Sequence, residues 1–433
     1  MRAILLTAIV FAMLPMILRQ PYFGVLAWSW MSYMNPHRFA WGFATDMSYA
    51  LMIAVCTLIG LMLARNEPKR IPWTRESLLL LIFTLWMFFT TTQSLYPWLA
   101  WDQWDKVWRI QLMTFVTMML IYTPQRIHLL MWVITLSLAF FGIKGGWFTL
   151  STGGAHRVLG PANSFIADRN SIGLALIMTI PMLRYLQLQA QHKWLKLVLT
   201  VSIALTMISI IGTHSRGALV GGVAMLGFFL LKSRGKAGVL LLVVPVVLAT
   251  PYFMPEKYFD RMETIQNWEE DNSASERVRA WGNAVDLANH RFIGGGFRAL
   301  VYWGGRDSHS IFFGTLGEHG WLGLAMFMLL LLFTWRSASY IIRHSRRDPE
   351  LYWARDLAAM LQVSLVGYCG AGAFLGLQYF DLYYSIIAIV VVTKLIVQRK
   401  VAGQEALAPA SDALPLPARL ASMTRVLGGP LRA

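Results

Sequence analysis

"DSHSIFFGTLGEHGWLGLAMFMLLLLFTW", residues 307 to 335, begins polar and ends as an apolar run. At about 1.5 Å per residue, the part from Ser310 onward is long enough to cross a hydrocarbon layer of about 30 Å as a helix. A helix satisfies every backbone amide within its own segment, which lipid demands. The first half nevertheless holds His309, Glu318, His319 and the glycines Gly314, Gly317, Gly320 and Gly323. Ionisable groups at the edge of a membrane helix are costly and mark a candidate functional site.

The rest of the chain repeats the apolar pattern. Its 433 residues are 56% hydrophobic and 14% charged, with mean hydropathy +0.51, far from the balance of a soluble domain. Apolar segments read at roughly 3 to 34, 46 to 64, 75 to 94, 107 to 122, 127 to 150, 170 to 187, 194 to 212, 216 to 232, 236 to 252, 310 to 335, 355 to 376 and 379 to 397. They predict an all-α polytopic membrane protein with about 12 transmembrane helices. The 18 Trp and 15 Tyr suit two interfacial belts, and the alternation of a barrel strand is not seen. Pro15, Arg19 and Pro21 interrupt residues 3 to 34, which read as one kinked span, two short ones or a hairpin. The opening 20 residues carry no small-x-small cleavage site and read as a membrane element rather than a signal peptide.

Charge sorts the loops. "ARNEPKR", "TPQRIH", "QHKWLK", "KSRGK", "RHSRRDPE" and the tail are basic and alternate with acidic or neutral loops, which assigns them to the cytoplasmic face. With Arg2 and Arg19 added, that face takes about two thirds of the basic residues and about a third of the acidic ones. The net +16 is thus topological, and no zinc spacing, RNP-like strand or basic reading helix argues for nucleic acid. Cys56 and Cys369 lie in apolar runs and read as packing residues, without a disulfide framework or metal site. The chain is expected to divide into membrane helices at 1–125 and 126–250, a non-cytoplasmic loop at 251–308, further helices at 309–400 and a flexible cytoplasmic tail at 401–433.

The loop from Pro251 to Ser308 is the long one, and its aromatic content predicts order. Within it "SASERVRAWGNAVDLANH" has a Ser cap and near-helical apolar spacing, so a helix against the membrane face is expected. The same rim gathers arginines although it carries no net positive charge. Arg157, Arg169 and Arg216 sit at mouths of spans, in "GGAHRVLGPANSFIADRNSIG" and "IIGTHSRGALVGG". A guanidinium there calls for an anion such as a phosphate or pyrophosphate, which its planar fork matches. Headgroup contacts or pairing with Asp168, Asp307 and Glu318 are the plainer alternative. A neutral imidazole at His309 is suited to take a proton from a hydroxyl, and the glycine face after it would admit another helix or a sugar-lipid chain. Glu318 and His319, deeper, read as a buried pair with polar groups of another helix. His156 and His214 lack a carboxylate-histidine metal spacing, and "EEDN" at 269 to 272 reads as a solvated loop. A site without metal or cofactor is expected, with arginines neutralising the leaving group.

These residues resemble the bacterial O-antigen ligase family. "HS", nine residues, then "GWLG" (His309, Ser310, Gly320, Gly323) fits its H-[NSQ]-x9-G-x-x-G pattern. "SERVRAWGNAVDLANHRFIGGGF" looks like its R-x3-W helix and G-x-G turn, and "THSRGALVGG" like its S-R-G span start. The stretch "MSYMNPHRFAWGFA" is similar to an O-glycosylation ligase subgroup, whereas Arg169 in "FIADRNSIG" departs from the family's usual Asp-Pro-Asn or Asp-Asn-Asn. The resemblance implies a GT-C-type glycosyltransferase of the bacterial inner membrane with its site on the periplasmic side. It would transfer O-antigen polysaccharide from undecaprenyl pyrophosphate to a sugar hydroxyl of lipid A-core, with inversion. His309 would be the base, and Arg216, Arg277 and, third, Arg157 would hold the pyrophosphate. Arg279, Arg169, His214 and Arg298 are further candidates. An O-antigen polymerase or a protein O-oligosaccharyltransferase shares the donor, and a lipid-linked glycan transporter is a more distant alternative, for which no inverted repeat is seen.

Overall fold

A computed structural model describes residues 1–40, 42–45, 47–232, 236–263 and 272–403. Among these residues there are helices and no strands. In chain order they are α1 (Arg2–Arg19), α2 (Tyr22–Met34), α3 (Tyr49–Leu63), α4 (Arg75–Thr92), α5 (Pro97–Leu120), α6 (Pro124–Ser151), α7 (Arg169–Gln189) and α8 (Lys193–Gly212). There follow α9 (Arg216–Lys232), α10 (Lys236–Phe253), α11 (Glu256–Glu263), α12 (Asn272–His290), α13 (Ala299–Trp303), α14 (Ile311–His344), α15 (Tyr352–Gly372) and α16 (Asp381–Val401).

Six of the described helices, α1, α6, α7, α8, α14 and α16, are long and apolar enough to cross a membrane. The expected dozen is therefore not reached by length and composition alone. The other apolar segments do form helices, but α3 has 15 residues and α9 has 17, while α5 opens with Asp102, Asp105, Lys106 and Arg109. Residues 3 to 34 form two helices joined at Gln20 and Pro21, the hairpin among the three paths expected. Thr7 Oγ1 lies 2.6 Å from the Tyr49 hydroxyl, and a Cβ at Gly60 would meet Ile17 O, so α1 runs parallel to α3. Arg2 and Arg19 consequently lie at opposite ends of one 18-residue helix. Their assignment to a single face fails, because a continuous helix of about 27 Å separates them.

The core is built around α7, α15 and α16, which are apolar almost all round. Ile172 to Met178 and Leu382 to Val391 contain runs of fully buried side chains, as expected of helices enclosed by other helices. Small residues allow close contact: a Cβ on Gly221 would fall 2.5 Å from Ala371 Cβ, and one on Gly146 2.1 Å from Leu205 O. At the end bearing the basic loops, Arg126 makes a two-pronged ion pair with Glu67 at 2.8 and 2.9 Å, buried to 4% and 9% side-chain exposure. Tyr22 and Tyr122 lie over its guanidinium at 4.2 and 4.6 Å. Buried charge is tolerable with that degree of pairing.

The expected loop helix is present as α12, which packs on α14. The acidic stretch "EEDN" falls largely outside the described residues, as does the tail after Gly403.

A candidate active site at one end of the bundle

Ser310 caps α14, its hydroxyl accepting from Phe312 N at 3.3 Å and Phe313 N at 3.5 Å. Ser308 and Ser310 are both fully buried, and His309 between them is exposed. This reversal is produced by the backbone, which is left-handed at His309 (φ 46°). A non-glycine residue pays about 1 to 3 kcal/mol for that conformation, and such positions gather at functional sites.

The segment is pinned by α12. Trp281 Nε1 donates to Ser308 O at 3.0 Å. The Trp281 ring stacks on Phe313 with centroids 5.0 Å apart and reaches Phe374 at 6.1 Å. Arg277 is half-buried one helical turn before Trp281, on the same face of α12. Phe374 also touches the start of α9, since a Cβ on Gly217 would lie 3.3 Å from Phe374 Cβ. The aromatic pair Trp281 and Phe374 thus joins three elements, carrying Arg277, His309 and the half-buried Arg216.

Around Arg216 the backbone is clipped from several sides. His214 is buried and left-handed (φ 53°); its Nε2 lies 3.0 Å from Gly154 O and its ring packs on Tyr258. Val158 N donates to Gly212 O at 2.9 Å, which holds exposed Arg157 beside the α8–α9 turn. Asp168 caps α7 through Asn170 N and Ser171 N, and Ser215 Oγ donates to Asn170 Oδ1 at 2.7 Å. Arg169, at the first position of α7, is thereby drawn to the same turn. Arg157, Arg169, His214 and Arg216 form one group.

Arg279 and Arg298 stand apart. Arg279 is exposed on another face of α12. Arg298 N donates to Glu318 Oε1 at 2.7 Å, while its guanidinium extends toward Asp102 at 3.8 Å, on the start of α5.

Beneath His309, Glu318 and His319 are buried as expected, with polar partners from helix α4 and from the loop that precedes α16 rather than from another helix alone. Glu318 Oε2 accepts from the Tyr379 hydroxyl at 2.6 Å and from Gln378 Nε2 at 3.1 Å. His319 Nε2 lies 2.7 Å from the same hydroxyl, and its Nδ1 2.7 Å from Thr90 Oγ1. With one proton on the phenol given to the carboxylate, His319 carries its proton on Nε2 and accepts at Nδ1. Sequence reasoning found the pair but not Thr90, Gln378 and Tyr379, which lie 60 or more residues away from it; the one available signal was a polar Gln-Tyr inside an apolar run.

The two glycine motifs dock on each other. Gly295 N donates to Gly317 O and Gly296 N to Glu318 O, both at 2.9 Å. Gly320 breaks α14 with φ 69°, ψ −173°, a conformation open essentially to glycine alone, and a Cβ there would fall 1.9 Å from Phe292 O. Gly317 faces Leu300 and Gly323 faces the His319 side chain. The glycine face, expected to admit another helix or a sugar-lipid chain, is occupied by protein: the 292–296 turn and the short helix α13.

Residues 1–214 match a family of unknown function (DUF5935), and residues 201–328 match the family described as O-Antigen ligase. No curated protein matches the chain.

Proposed function

The chain carries an O-antigen ligase family domain at residues 201–328, and from that premise we propose that it is an inverting, metal-independent glycosyltransferase of GT-C type in the bacterial inner membrane. Its donor is an O-antigen polysaccharide on undecaprenyl pyrophosphate, its acceptor a sugar hydroxyl of lipid A-core, and its site faces the periplasm. The observation that carries this reading is the clip between Trp281 and the Ser308 carbonyl. It ties the helix bearing Arg277 to the residue before His309.

In the proposed reaction His309 takes the proton of the acceptor hydroxyl. The freed oxygen attacks the anomeric carbon from the face opposite the pyrophosphate, and the bond from that carbon to the phosphate oxygen breaks. The electron pair leaves on undecaprenyl pyrophosphate, so the new glycosidic bond has inverted configuration. Arg216 and Arg277 hold the pyrophosphate and stabilise the charge growing on it, with Arg157 in support; such preorganised electrostatics is usually the largest catalytic term. A base is worth roughly 10²- to 10⁴-fold. An apolar cavity of about 340 Å³ among α7, α8, α9 and α10 is lined by Ile210, Ile211, Ala218 and Leu219, within two turns of Arg216. It suits the start of a polyprenyl chain whose pyrophosphate lies at Arg216.

Purified protein incubated with the lipid-linked glycan and, separately, lipid A-core, a peptide or a second donor molecule tests the reading. Extension of lipid A-core in the presence of EDTA is expected. Extension of the peptide or the second donor alone, or activity that EDTA removes and magnesium restores, would overturn the acceptor or the metal independence respectively.

A further inference from the structure

A second cavity, of about 660 Å³, reaches Phe380 and Asp381 at the start of α16. Its walls come from the end of α2, the 3-10 turn Pro36–Phe39, the start of α5, residues 163–166, Arg298 and the start of α16. Most of it belongs to the part of the chain that matches a family of unknown function.

Four buried polar atoms of lining residues have no hydrogen-bond partner among the described residues: His37 Nδ1, Arg38 Nε, Arg109 Nε and Asp381 Oδ1. An unsatisfied buried group costs about 1 to 3 kcal/mol, so the walls of this space carry a polar deficit that side-chain rearrangement around a charged, hydroxylated occupant would relieve. The other oxygen of Asp381 accepts from Ser32, which aims the carboxylate and leaves Oδ1 over. Arg38 also donates to Asn163 O at 3.2 Å, tying two walls together. Lys106, Arg109 and Arg298 contact Asp102 and Asp105 at the mouth; these pairs are exposed and therefore weak. Burial, with Arg38 beside it, lowers His37 to about 4, so its ring is neutral near pH 7.

The backbone supplies an independent observation. Asn35, Asn163, His214, Arg298 and His309 are the described non-glycine residues with left-handed φ. Three of them, Asn35, Asn163 and Arg298, line this cavity, and strain of this kind concentrates where ligands are held.

We propose that the cavity binds a sugar bearing a carboxylate or phosphate. Arg38 and Arg109 take the anion through their planar donors. Asp381 Oδ1 accepts from a sugar hydroxyl, and Trp28, Phe165 and Phe380 offer the flat apolar surfaces against which a ring packs. A neutral sugar would leave the guanidinium nitrogens unsatisfied, and a bare anion would leave Asp381 so. The proposal does not depend on the transfer reaction, because it assigns no chemistry to the cavity.

Calorimetric titration of the purified full chain in nanodiscs tests it, with glucose 6-phosphate, glucuronate, glucose and inorganic phosphate as probes and nanodiscs containing phosphorylated lipid A as a separate arm. Binding of the two acidic sugars at least 10-fold tighter than glucose or phosphate is expected, reduced at least 10-fold by Arg38→Gln and by Arg109→Gln. His309→Asn should leave it unchanged, which separates this site from the transfer site. Binding of the free sugars identifies a soluble headgroup as sufficient, whereas a lipid A-dependent thermal shift that Arg38→Gln abolishes identifies a membrane source; either supports the assignment. Equal binding of glucose or phosphate, indifference to both substitutions in variants with wild-type circular dichroism, or no response in either arm overturns it.

Discussion

At His309 the side chain is exposed while both neighbours are buried, and the left-handed backbone is what makes the two compatible. Replacing it by glycine removes the conformational cost, so His309→Gly should raise the melting temperature while transfer is lost. An unchanged or lower Tm would show that the His309 side chain itself stabilises the fold. Arg216→Lys and Arg277→Lys should each slow transfer by about 10²-fold, because a point charge lacks the planar fork; near-normal rates would reduce their role to simple attraction. His37 predicts a pH effect on stability. Its lowered folded value of about 4 means that the unfolded chain binds the additional proton between about pH 6.5 and 4, so stability is full above that window and falls as pH drops through it. His37→Gln should flatten that slope in thermal melts. The surface position of His309 was legible because it precedes a long apolar run. Its left-handed turn was not, since Trp281 imposes it from about 28 positions earlier in the chain.

The helix α14 is read correctly as a span and incompletely as a rod. Its glycine spacing is visible in the sequence, but the occupant of the glycine face is set by tertiary structure: the 292–296 turn donates two backbone N–H groups into the break at Gly320. Gly320→Ala should therefore prevent the turn from docking and cost more than about 4 kcal/mol or abolish folding, since it combines a forbidden φ with a backbone clash. A stable, active variant would mean that the kink is dispensable. Tyr379→Phe removes the hydroxyl that donates to Glu318 and accepts from His319 and should cost about 1 to 3 kcal/mol, read as a lower Tm. At the opposite end Glu67→Gln leaves Arg126 buried with its charge uncompensated, and breaking such a pair costs about 3 to 5 kcal/mol. Neither network could be paired from sequence, because Glu67, in the loop before α4, and Arg126, in the first turn of α6, stand 59 positions apart in stretches that look merely basic or polar.

Across the whole molecule, the alternation of basic and acidic loops predicts which face each helix end occupies. Arg2 is the exception: it starts α1, which runs parallel to α3, and so lies at the end opposite Arg19. Of the apolar runs read as spans, six form described helices long and apolar enough to cross a membrane on length and composition. Helices such as α3 and α9, with 15 and 17 residues, are short for a full crossing, which a bilayer accommodates by thinning locally. What the bundle achieves is convergence at one end: the starts of α7, α9 and α14, the end of α15 and the loop helix α12 bring together residues from separate parts of the sequence. That convergence places a base candidate beside arginine-bearing elements, and the central claim is that His309 activates the acceptor. Asparagine tolerates the left-handed turn at least as well as histidine but cannot accept a proton near neutral pH. The direct measurement is the initial rate at which purified wild-type and His309→Asn proteins, matched in Tm, transfer glycan from undecaprenyl pyrophosphate to lipid A-core. A drop of about 10²-fold or more is predicted; a rate within a few-fold of wild type would contradict the assignment.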